Sequence, residues 1–376
     1  MSFEIPVSAP AFLGNEKSYV TDCIDSTWIS SIGVYIGRFE ASFAELCGVR
    51  HALACSNGTI ALHLALLGIG IGPGDEVLVP SLTYVASANA VRYCGAEPVF
   101  VDSEGDSWNL DPEDVKKKIG PRTKAILPVH LYGKPAAMAE ILKIAAEHGL
   151  KVVEDAAEAV GARLDGKTVG SFGEVASFSF FGNKILTCGE GGMVTTDDDE
   201  LARHMRQLKG QGQDPTRRYW FPIVGYNYRM TNVQAALGLA QLEKLDEHLA
   251  ARDEIAALYT AGLAGRTDIA WPRPAAGERP VCWLWSLALV GHREGARDRV
   301  MTALAEAGIE TRPFFFPCHT LPPYRSDRDA ACPTAERLGA EGLSLPTWVG
   351  MRAEQVERVC ATLSDALDRE LGRIGS

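Results

Sequence analysis

Lys184 lies in the stretch SFSFFGNKILTCGEGG, Ser177 to Gly192, between an apolar run and a cluster of glycines. Lysine commonly belongs on a solvated surface, so Lys184 is either a turn residue or an amine that the fold holds inside a cleft. An amine held in this way can act as a nucleophile. This second explanation requires partner groups at neighbouring positions of the fold.

Two such groups follow β-rich segments nearer the N-terminus. The loop SNGT, Ser56 to Thr59, precedes a helical segment, where open backbone N–H groups and the helix dipole favour an anion such as phosphate. Ser and Asn are also typical N-caps at such a position. Tyr84, in PSLTYVAS, can stack on a flat cofactor, although an aromatic residue near a strand end is more often part of the core.

A third group is acidic: VVEDAAEAVG brings Glu154, Asp155 and Glu158 to the end of an apolar run. Buried carboxylates cost free energy unless they are paired, so at least one is expected to meet a cation or a protonated ring nitrogen. An anion loop, an aromatic ring, a strand-end carboxylate and a lysine together match the requirements of pyridoxal 5'-phosphate. The residues therefore predict a site for this cofactor.

The order of segments that must position these groups predicts an α/β fold. Helix-period segments alternate with seven β-rich runs, which are HALACS, EVLVP, EPVFVD, KAILPVH, KVVED, VASFSF and GGMVTT. Ligands of such sheets bind beyond the carboxyl ends of the strands. One long helix is predicted over QAALGLAQLEKLDEHLAARDEIAALY. We predict an N-terminal arm and large domain at residues 1–248 and a small C-terminal domain at 249–376.

Composition narrows the function classes. The net charge of −11 argues against a nucleic-acid-binding surface. Nine cysteines without a C-x-x-C pair favour reduced thiols, and no apolar run approaches the ~18 residues of a membrane span, so we expect a cytoplasmic protein. The eight histidines form no H-E-x-x-H or H-x-x-E-H pattern, so no metal site is predicted.

Five motifs follow one another along nearly the whole chain: SNGTIALHLAL, PSLTYVASANAV, VEDAAEAVG, SFSFFGNKILTCGEGGM and GYNYRMTNVQAALGLAQLE. In this order they resemble the DegT/StrS sugar-nucleotide aminotransferases. The resemblance implies the aspartate-aminotransferase fold, PLP fold type I. That fold has a large domain with a mostly parallel seven-stranded sheet flanked by helices, and a smaller C-terminal α/β domain.

The resemblance also implies a role for each site residue. Lys184 would form the Schiff base with pyridoxal phosphate, Asp155 would bind the pyridine nitrogen, and Tyr84 would cover the ring face. Glu158 would lie near the ring hydroxyl, where many relatives have glutamine; a carboxylate can only accept a hydrogen bond unless it is protonated. The residues implied in binding the phosphate are Gly58, Thr59 and Ser179, and Asn57 is implied in binding the cofactor.

Asn227, in GYNYRM, would by the same resemblance reach the cofactor phosphate of a neighbouring subunit, which implies a homodimer with shared active sites. The stretch also fits a plain loop followed by a helix N-cap at Thr231 or Asn232. Arg229 either faces the acidic donor L-glutamate or pairs with a structural carboxylate.

Two further stretches, DSTWISSIGVYIGRFE and TRPFFFPCHTLPPY, resemble a narrower group within the family that aminates GDP-4-keto-6-deoxy-D-mannose. The residues that would face this substrate are Trp28, Ser30, Phe316 and His319. The alternative is a loop packed by its own aromatic residues, which is what we expect for Phe314 and Phe315.

The expected activity is transfer of the amino group of L-glutamate to C4 of a nucleotide-linked 4-keto-6-deoxysugar, with pyridoxamine phosphate as the intermediate form of the cofactor. A UDP- or dTDP-linked sugar, aminated at C3 or C4, is the alternative, since one pocket side chain shifts such a preference by ~1–3 kcal/mol. A sugar dehydratase of this fold would carry histidine in place of Lys184. A regulatory homologue without activity would have lost some of Asp155, Lys184 and the SNGT loop.

Overall fold

The structure is a computed structural model that describes residues 3–325 and 331–372. In chain order its strands are β1 (His51–Cys55), β2 (Glu76–Pro80), β3 (Glu97–Val101), β4 (Thr123–Ile126), β5 (Lys151–Asp155), β6 (Arg163–Leu164), β7 (Lys167–Thr168), β8 (Val175–Ser179), β9 (Gly192–Thr196), β10 (Ile269–Ala270), β11 (Glu278–Arg279), β12 (Trp285–Leu289), β13 (Arg312–Pro313) and β14 (Gly342–Leu345).

Its helices are α1 (Glu16–Asp25), α2 (Val34–Cys47), α3 (Gly58–Gly68), α4 (Ala86–Tyr93), α5 (Pro112–Lys118), α6 (Met138–His148), α7 (Asp199–Lys209), α8 (Asn232–Leu242), α9 (Leu245–Gly262), α10 (Ala296–Glu306), α11 (Pro333–Glu341) and α12 (Ala353–Glu370). Short 3₁₀ turns lie at Leu131–Gly133 and Cys318–Thr320. Within the described residues, no helix has both the length and the apolar character that a membrane crossing requires.

The seven β-rich runs form one sheet with the strand order β1-β9-β8-β5-β4-β2-β3. Only β9 runs against its neighbours β1 and β8, and the other pairs in this sheet are parallel. Alternate residues of β5 explain why both faces are covered: Val152 packs into one hydrophobic cluster and Val153 into another. The sheet is the mostly parallel α/β layer that the sequence predicts.

The segment predicted as one long helix forms two helices, so that prediction is wrong. Helix α8 ends at Leu242 and α9 begins at Leu245. Lys244 leaves helical geometry, with φ −114° and ψ 14°. The break lets α8 pack on α1 and α2 while α9 packs on α12. Two packing surfaces in different directions therefore outweigh the helix propensity of the continuous segment.

The C-terminal part builds a second sheet in the order β10-β12-β14-β13, with antiparallel pairs throughout. Helices α9, α10 and α12 contribute to the hydrophobic cluster around it, and so does Ile5 near the N-terminus. The proposed boundary between residues 248 and 249 falls in the first turn of α9. The division into two domains stays a prediction.

Candidate active site

One cavity of about 600 Å³ opens at the carboxyl ends of the parallel strands β1, β2, β5 and β8. We call it the active cavity. Eight residues that the sequence predicts for the cofactor line it: Asn57, Gly58, Thr59, Tyr84, Asp155, Glu158, Ser179 and Lys184. Because parallel strands bring their carboxyl ends to one edge, residues far apart in sequence meet here.

The predicted anion loop forms the N-terminus of α3. The Asn57 side chain caps this helix, because its Oδ1 accepts a hydrogen bond from the N–H of Ile60 at 2.9 Å. A Cβ atom at Gly58 would lie 2.7 Å from Cβ of Ser179, so only glycine permits this approach of β8 to the helix. The first-turn N–H groups and the helix dipole make this end of the cavity suitable for an anion.

Asp155 is the last residue of β5 and points into the same cavity. Its Oδ2 accepts a hydrogen bond from Oγ of Ser87 at 2.8 Å, and its Oδ1 accepts one from the N–H of Ala157 at 3.1 Å. Burial raises the pKa of Asp155 despite these two donors. A nearby cation would therefore stabilise the ionised form of this carboxylate.

Lys184 lies in the loop between β8 and β9, with its side chain only 12% exposed. Its Nζ is 3.9 Å from Oε1 of Glu158 and 3.8 Å from the ring centroid of Trp283. Burial lowers the pKa of Lys184, while the carboxylates of Glu158 and Asp155 act in the opposite direction. The lysine is therefore held inside the cavity rather than on the surface.

Glu158 lies beside the lysine with few hydrogen-bond donors. Its Oε2 accepts the N–H of Tyr132 at 2.6 Å. Tyr132 has a left-handed backbone conformation, φ 51°, in the 3₁₀ turn that brings its N–H to the carboxylate. Burial raises the pKa of Glu158 to about 7, although Lys184 acts to lower it. A carboxyl group in this setting can change its protonation state near neutral pH.

Glu154, one residue before Asp155, serves a structural purpose. It accepts hydrogen bonds from backbone N–H groups of Gly170, Phe172 and Gly173, and from Nε2 of His130 at 3.1 Å. The N–H of Ala136 donates to Nδ1 of His130, so the ring proton is on Nε2 and points at Glu154. Burial opposes ionisation of Glu154, but the donors outweigh it and lower its pKa.

Tyr84 contributes an open wall of the cavity. Its side chain is 57% exposed, and its ring centroid is 5.7 Å from that of Phe315. The sequence expectation for Phe315 was a packing role, whereas here it also lines the cavity. Phe314 is buried, as expected.

Several residues that line the active cavity were not predicted from the sequence. Ser87 had a signal, since it follows Tyr84 within the motif PSLTYVASANAV and stands in the first turn of α4. Trp283 had none, because it reaches the cavity from the segment between β11 and β12. Asn183, Phe315 and Arg312 are further examples of lining residues that the sequence did not predict.

The remaining predicted residues do not line the active cavity of their own chain; they are Trp28, Ser30, Asn227, Arg229, Phe316 and His319. Trp28 and Phe316 are 55% and 65% exposed. His319 is buried, with Nδ1 2.6 Å from Oγ of Ser81 and Nε2 3.1 Å from Glu336. The roles of all six toward cofactor or substrate stay predictions.

Asn227 and Arg229 contact each other on the surface. Nε of Arg229 donates to Oδ1 of Asn227 at 3.1 Å, and both residues are exposed. The predicted N-cap is Thr231, whose hydroxyl accepts the N–H of Gln234 at 3.2 Å. The loop-and-cap explanation of this stretch is therefore correct and leaves both side chains accessible.

Comparison with known proteins decides the family. Residues 12–364 match the DegT/DnrJ/EryC1/StrS aminotransferase family. This chain belongs to that family. It is therefore an aminotransferase of PLP fold type I, as the motifs and the sheet indicate.

Individual relatives agree along nearly the full length. GDP-perosamine synthase of Caulobacter vibrioides is 55% identical over 364 residues, 96% of this chain and 98% of that one. GDP-perosamine synthase of Vibrio cholerae is 47% identical over 357 residues, 95% and 97% of the two chains. The structure of Spr1654 from Streptococcus pneumoniae in its PLP-form has a TM-score of 0.93 at 27% identity, covering 97% and 99% of the two chains.

Proposed function

We propose that this aminotransferase moves the amino group of L-glutamate to C4 of GDP-4-keto-6-deoxy-D-mannose and so makes GDP-perosamine, a sugar precursor of surface polysaccharides or natural products. The observation that carries the chemistry is the meeting of Lys184, Asp155 and the N-terminus of α3 in one cavity. The choice of sugar rests on the 55% identity with the Caulobacter protein of that name.

The residues of the active cavity fit pyridoxal phosphate. At one end, the first-turn N–H groups of α3 and the helix dipole offer a place for an anion, and the close contact of Gly58 with Ser179 holds β8 against this end of the helix. At the other end, burial raises the pKa of Asp155, so a protonated ring nitrogen would supply the missing positive charge. The exposed ring of Tyr84 lies between the two ends and suits a flat ligand.

Pyridoxal phosphate, when bound, accepts electrons from the substrate carbon and carries the amino group between the two substrates. Asp155 would hold a proton on the ring nitrogen. Because burial lowers the pKa of Lys184, a larger fraction of this amine is neutral and able to take up a proton near neutral pH. Lys184 would thus serve first as the nucleophilic attachment point and then as the group that moves the proton.

We further propose that two copies of the chain complete each site. Asn227 and Arg229 are exposed and outside the cavity of their own chain, which suits residues that reach the phosphate or the donor in a second copy. Trp28, Ser30, Phe316 and His319 would form the sugar-nucleotide side. Such a protein would act in the cytoplasm, where both substrates are soluble.

The test uses full-length protein loaded with pyridoxamine phosphate and mixed separately with GDP-, UDP- and dTDP-linked 4-keto-6-deoxysugars. The visible absorbance of pyridoxal phosphate reports the sugar half-reaction by itself. We expect a fast return of that absorbance with the GDP sugar. A return only with the UDP or dTDP sugar would replace the nucleotide in the proposal, and no return with any of the three, despite normal conversion by glutamate, would overturn the sugar assignment.

A further inference from the structure

Trp283 lines the active cavity and contacts the Lys184 amine directly, and the family motifs leave this residue without a role. Nζ of Lys184 lies over its indole ring, 3.8 Å from the centroid, well within the range of a cation–π contact. The carboxylate of Glu158 is 3.9 Å from the same nitrogen, which is too far for a hydrogen bond. The indole face is therefore a direct contact of the amine, beside the longer ion pair with Glu158.

The indole ring is held at its edge and on one face. Its Nε1–H donates to the carbonyl oxygen of Asn183 at 2.7 Å, directly beside Lys184 in sequence. Its ring stacks on Tyr132, with an interplanar angle of 20° and centroids 6.1 Å apart. The ring is only 4% exposed. A side chain fixed at its edge and on one face has little freedom to leave the lysine.

The backbone that carries Trp283 is fixed as well. Nη1 of Arg252, a buried residue of α9, donates to the carbonyl oxygen of Trp283 at 2.8 Å. The N–H of Val281 donates to the carbonyl oxygen of Gly133 at 3.0 Å. A Cβ at Gly133, where φ is +92°, would lie 2.0 Å from the carbonyl oxygen of Val281. The segment that carries Trp283 is thus held by the 3₁₀ turn Leu131–Gly133 on one side and by α9 on the other.

We propose that Trp283 is a positioning residue that seats the Lys184 amine as an ammonium ion on its indole face. The charged groups that face this amine are Glu158 and Asp155, which favour the ammonium form, and Arg312, which opposes it. The catalytic part of the role rests on the proposed function, in which Lys184 alternates between a covalently attached and a free amine. The indole face gives the free amine one fixed place inside the active cavity, 3.9 Å from the carboxylate of Glu158.

The experiment measures the protonation of Lys184 directly. Full-length protein without added cofactor is treated with trace labelled acetic anhydride at a series of pH values, and peptide mass spectrometry gives the labelling midpoint of Lys184. W283L should lower that midpoint by about one pH unit, the size of a desolvated cation–π contact. W283F keeps an aromatic face without the Nε1–H donor and should restore most of the shift.

W271L is the matched control, because Trp271 carries its own cation–π contact with Arg273, 4.1 Å from the ring centroid. It should leave the Lys184 midpoint unchanged. W283M serves in place of W283L if the leucine variant does not fold. An unchanged midpoint in either folded variant, even with reduced activity, would overturn the proposal, since Trp283 would then be only a packing residue.

The labelling does not depend on turnover, so it separates this inference from the proposed function. A lowered midpoint in W283L together with normal amino transfer by the wild type supports both. If the wild type transfers no amino group to any sugar, the proposed function and the catalytic part of this role fail, while the midpoint still tests the seat for the ammonium ion.

Discussion

Glu154 lies near the carboxyl end of β5 and Glu158 follows that end, but the two side chains have different surroundings. On the side of His130, Glu154 receives a ring N–H and three backbone N–H groups, and its pKa is lowered. On the side of the active cavity, Glu158 receives the N–H of Tyr132, and burial raises its pKa to about 7. The number of donors, rather than depth of burial, separates a structural carboxylate from one that can exchange protons.

The same contrast explains where the chemistry lies. The His130 side joins β5 to the loop that carries Gly170, Phe172 and Gly173, so its bonds hold backbone in place. The cavity side leaves Asp155, Glu158 and Lys184 near one another with incomplete pairing. Incomplete pairing costs stability and leaves these groups ready for a ligand.

The largest expected effect is the loss of activity in K184A. Removing the amine should lower amino transfer from ¹⁵N-glutamate to the sugar by on the order of 10³-fold or more, because both the attachment point and the proton carrier are gone. The far-UV circular dichroism should not change. K118A is the control: the Lys118 side chain is similarly enclosed, 11% exposed, but it pairs with Asp114 at 2.8 Å and does not line the cavity, so its loss should spare the transfer. Substantial amino transfer by K184A would show that Lys184 is not the reactive amine of the active cavity.

The next effect is on stability, and it separates the two glutamates. E154Q should lower the free energy of unfolding by about 3 kcal/mol, because an amide leaves buried donors without a charged acceptor. At pH 4.5, where the folded chain keeps Glu158 protonated, E158Q should lower it by less than ~1 kcal/mol, since the amide oxygen still accepts one N–H. Urea denaturation of the cofactor-free proteins measures both. Equal losses in the two variants would remove the distinction drawn between the two sides.

The contributions of Glu154 and Glu158 to stability are expected to depend on pH in opposite directions. The pKa of Glu158 is about 7 in the folded chain and 4.5 in its ordinary state. Between these values the unfolded chain releases its proton first, so the contribution of Glu158 to stability declines as the pH rises, by up to ~3 kcal/mol. The pKa of Glu154 is lowered instead, so its contribution is present above its ordinary value and is lost as the pH falls through its folded value.

This prediction is checked by the difference in unfolding free energy between the wild type and each glutamine variant, measured across pH 4.5 to 7 for E158Q and below pH 4.5 for E154Q, where the E154Q difference should shrink as the pH falls. The E158Q difference should fall with rising pH. A slope of the same sign for both variants would contradict the assigned pKa directions.

The smallest effect tests one donor on the cavity side. S87A removes the hydroxyl that binds Asp155 and should weaken the apparent affinity for pyridoxal phosphate by about tenfold, the size of one hydrogen bond to a charged group. S177A is the control: Ser177 pairs with Asp155 across β5 and β8, but its hydroxyl donates to the backbone oxygen of Glu154 at 3.4 Å and not to the Asp155 carboxylate. The affinity is measured by titration of the visible absorbance. If S177A weakens binding as much as S87A does, Ser87 has no special part.

The cavity residues at the ends of the parallel strands could be predicted from the sequence, because apolar runs show where each strand ends. Apolar runs locate β5 and β8. Asp155 ends the first of these strands and Lys184 lies in the loop after the second, so both were expected at the same edge of the sheet. Trp283 could not be found in this way, because its place depends on packing against Tyr132 and on a hydrogen bond to Asn183. The break at Lys244 likewise depends on what α8 and α9 pack against.

The loops predicted to face the substrate show the limit of the same argument. Trp28 and Phe316 stand on exposed segments, so no strand register fixes their direction. His319 illustrates the reverse, since contacts with Ser81 and Glu336 place it beside β2 in a way that no local motif specifies. Long-range contacts of this kind are decided by the whole fold.

We assign Lys184 as the reactive amine of the active cavity. The most direct measurement is to reduce the pyridoxal phosphate-loaded protein with borohydride, digest it and locate the phosphopyridoxyl group by peptide mass spectrometry. We predict that the group is found on Lys184. A stable modification on another lysine, with Lys184 unmodified, would contradict the account.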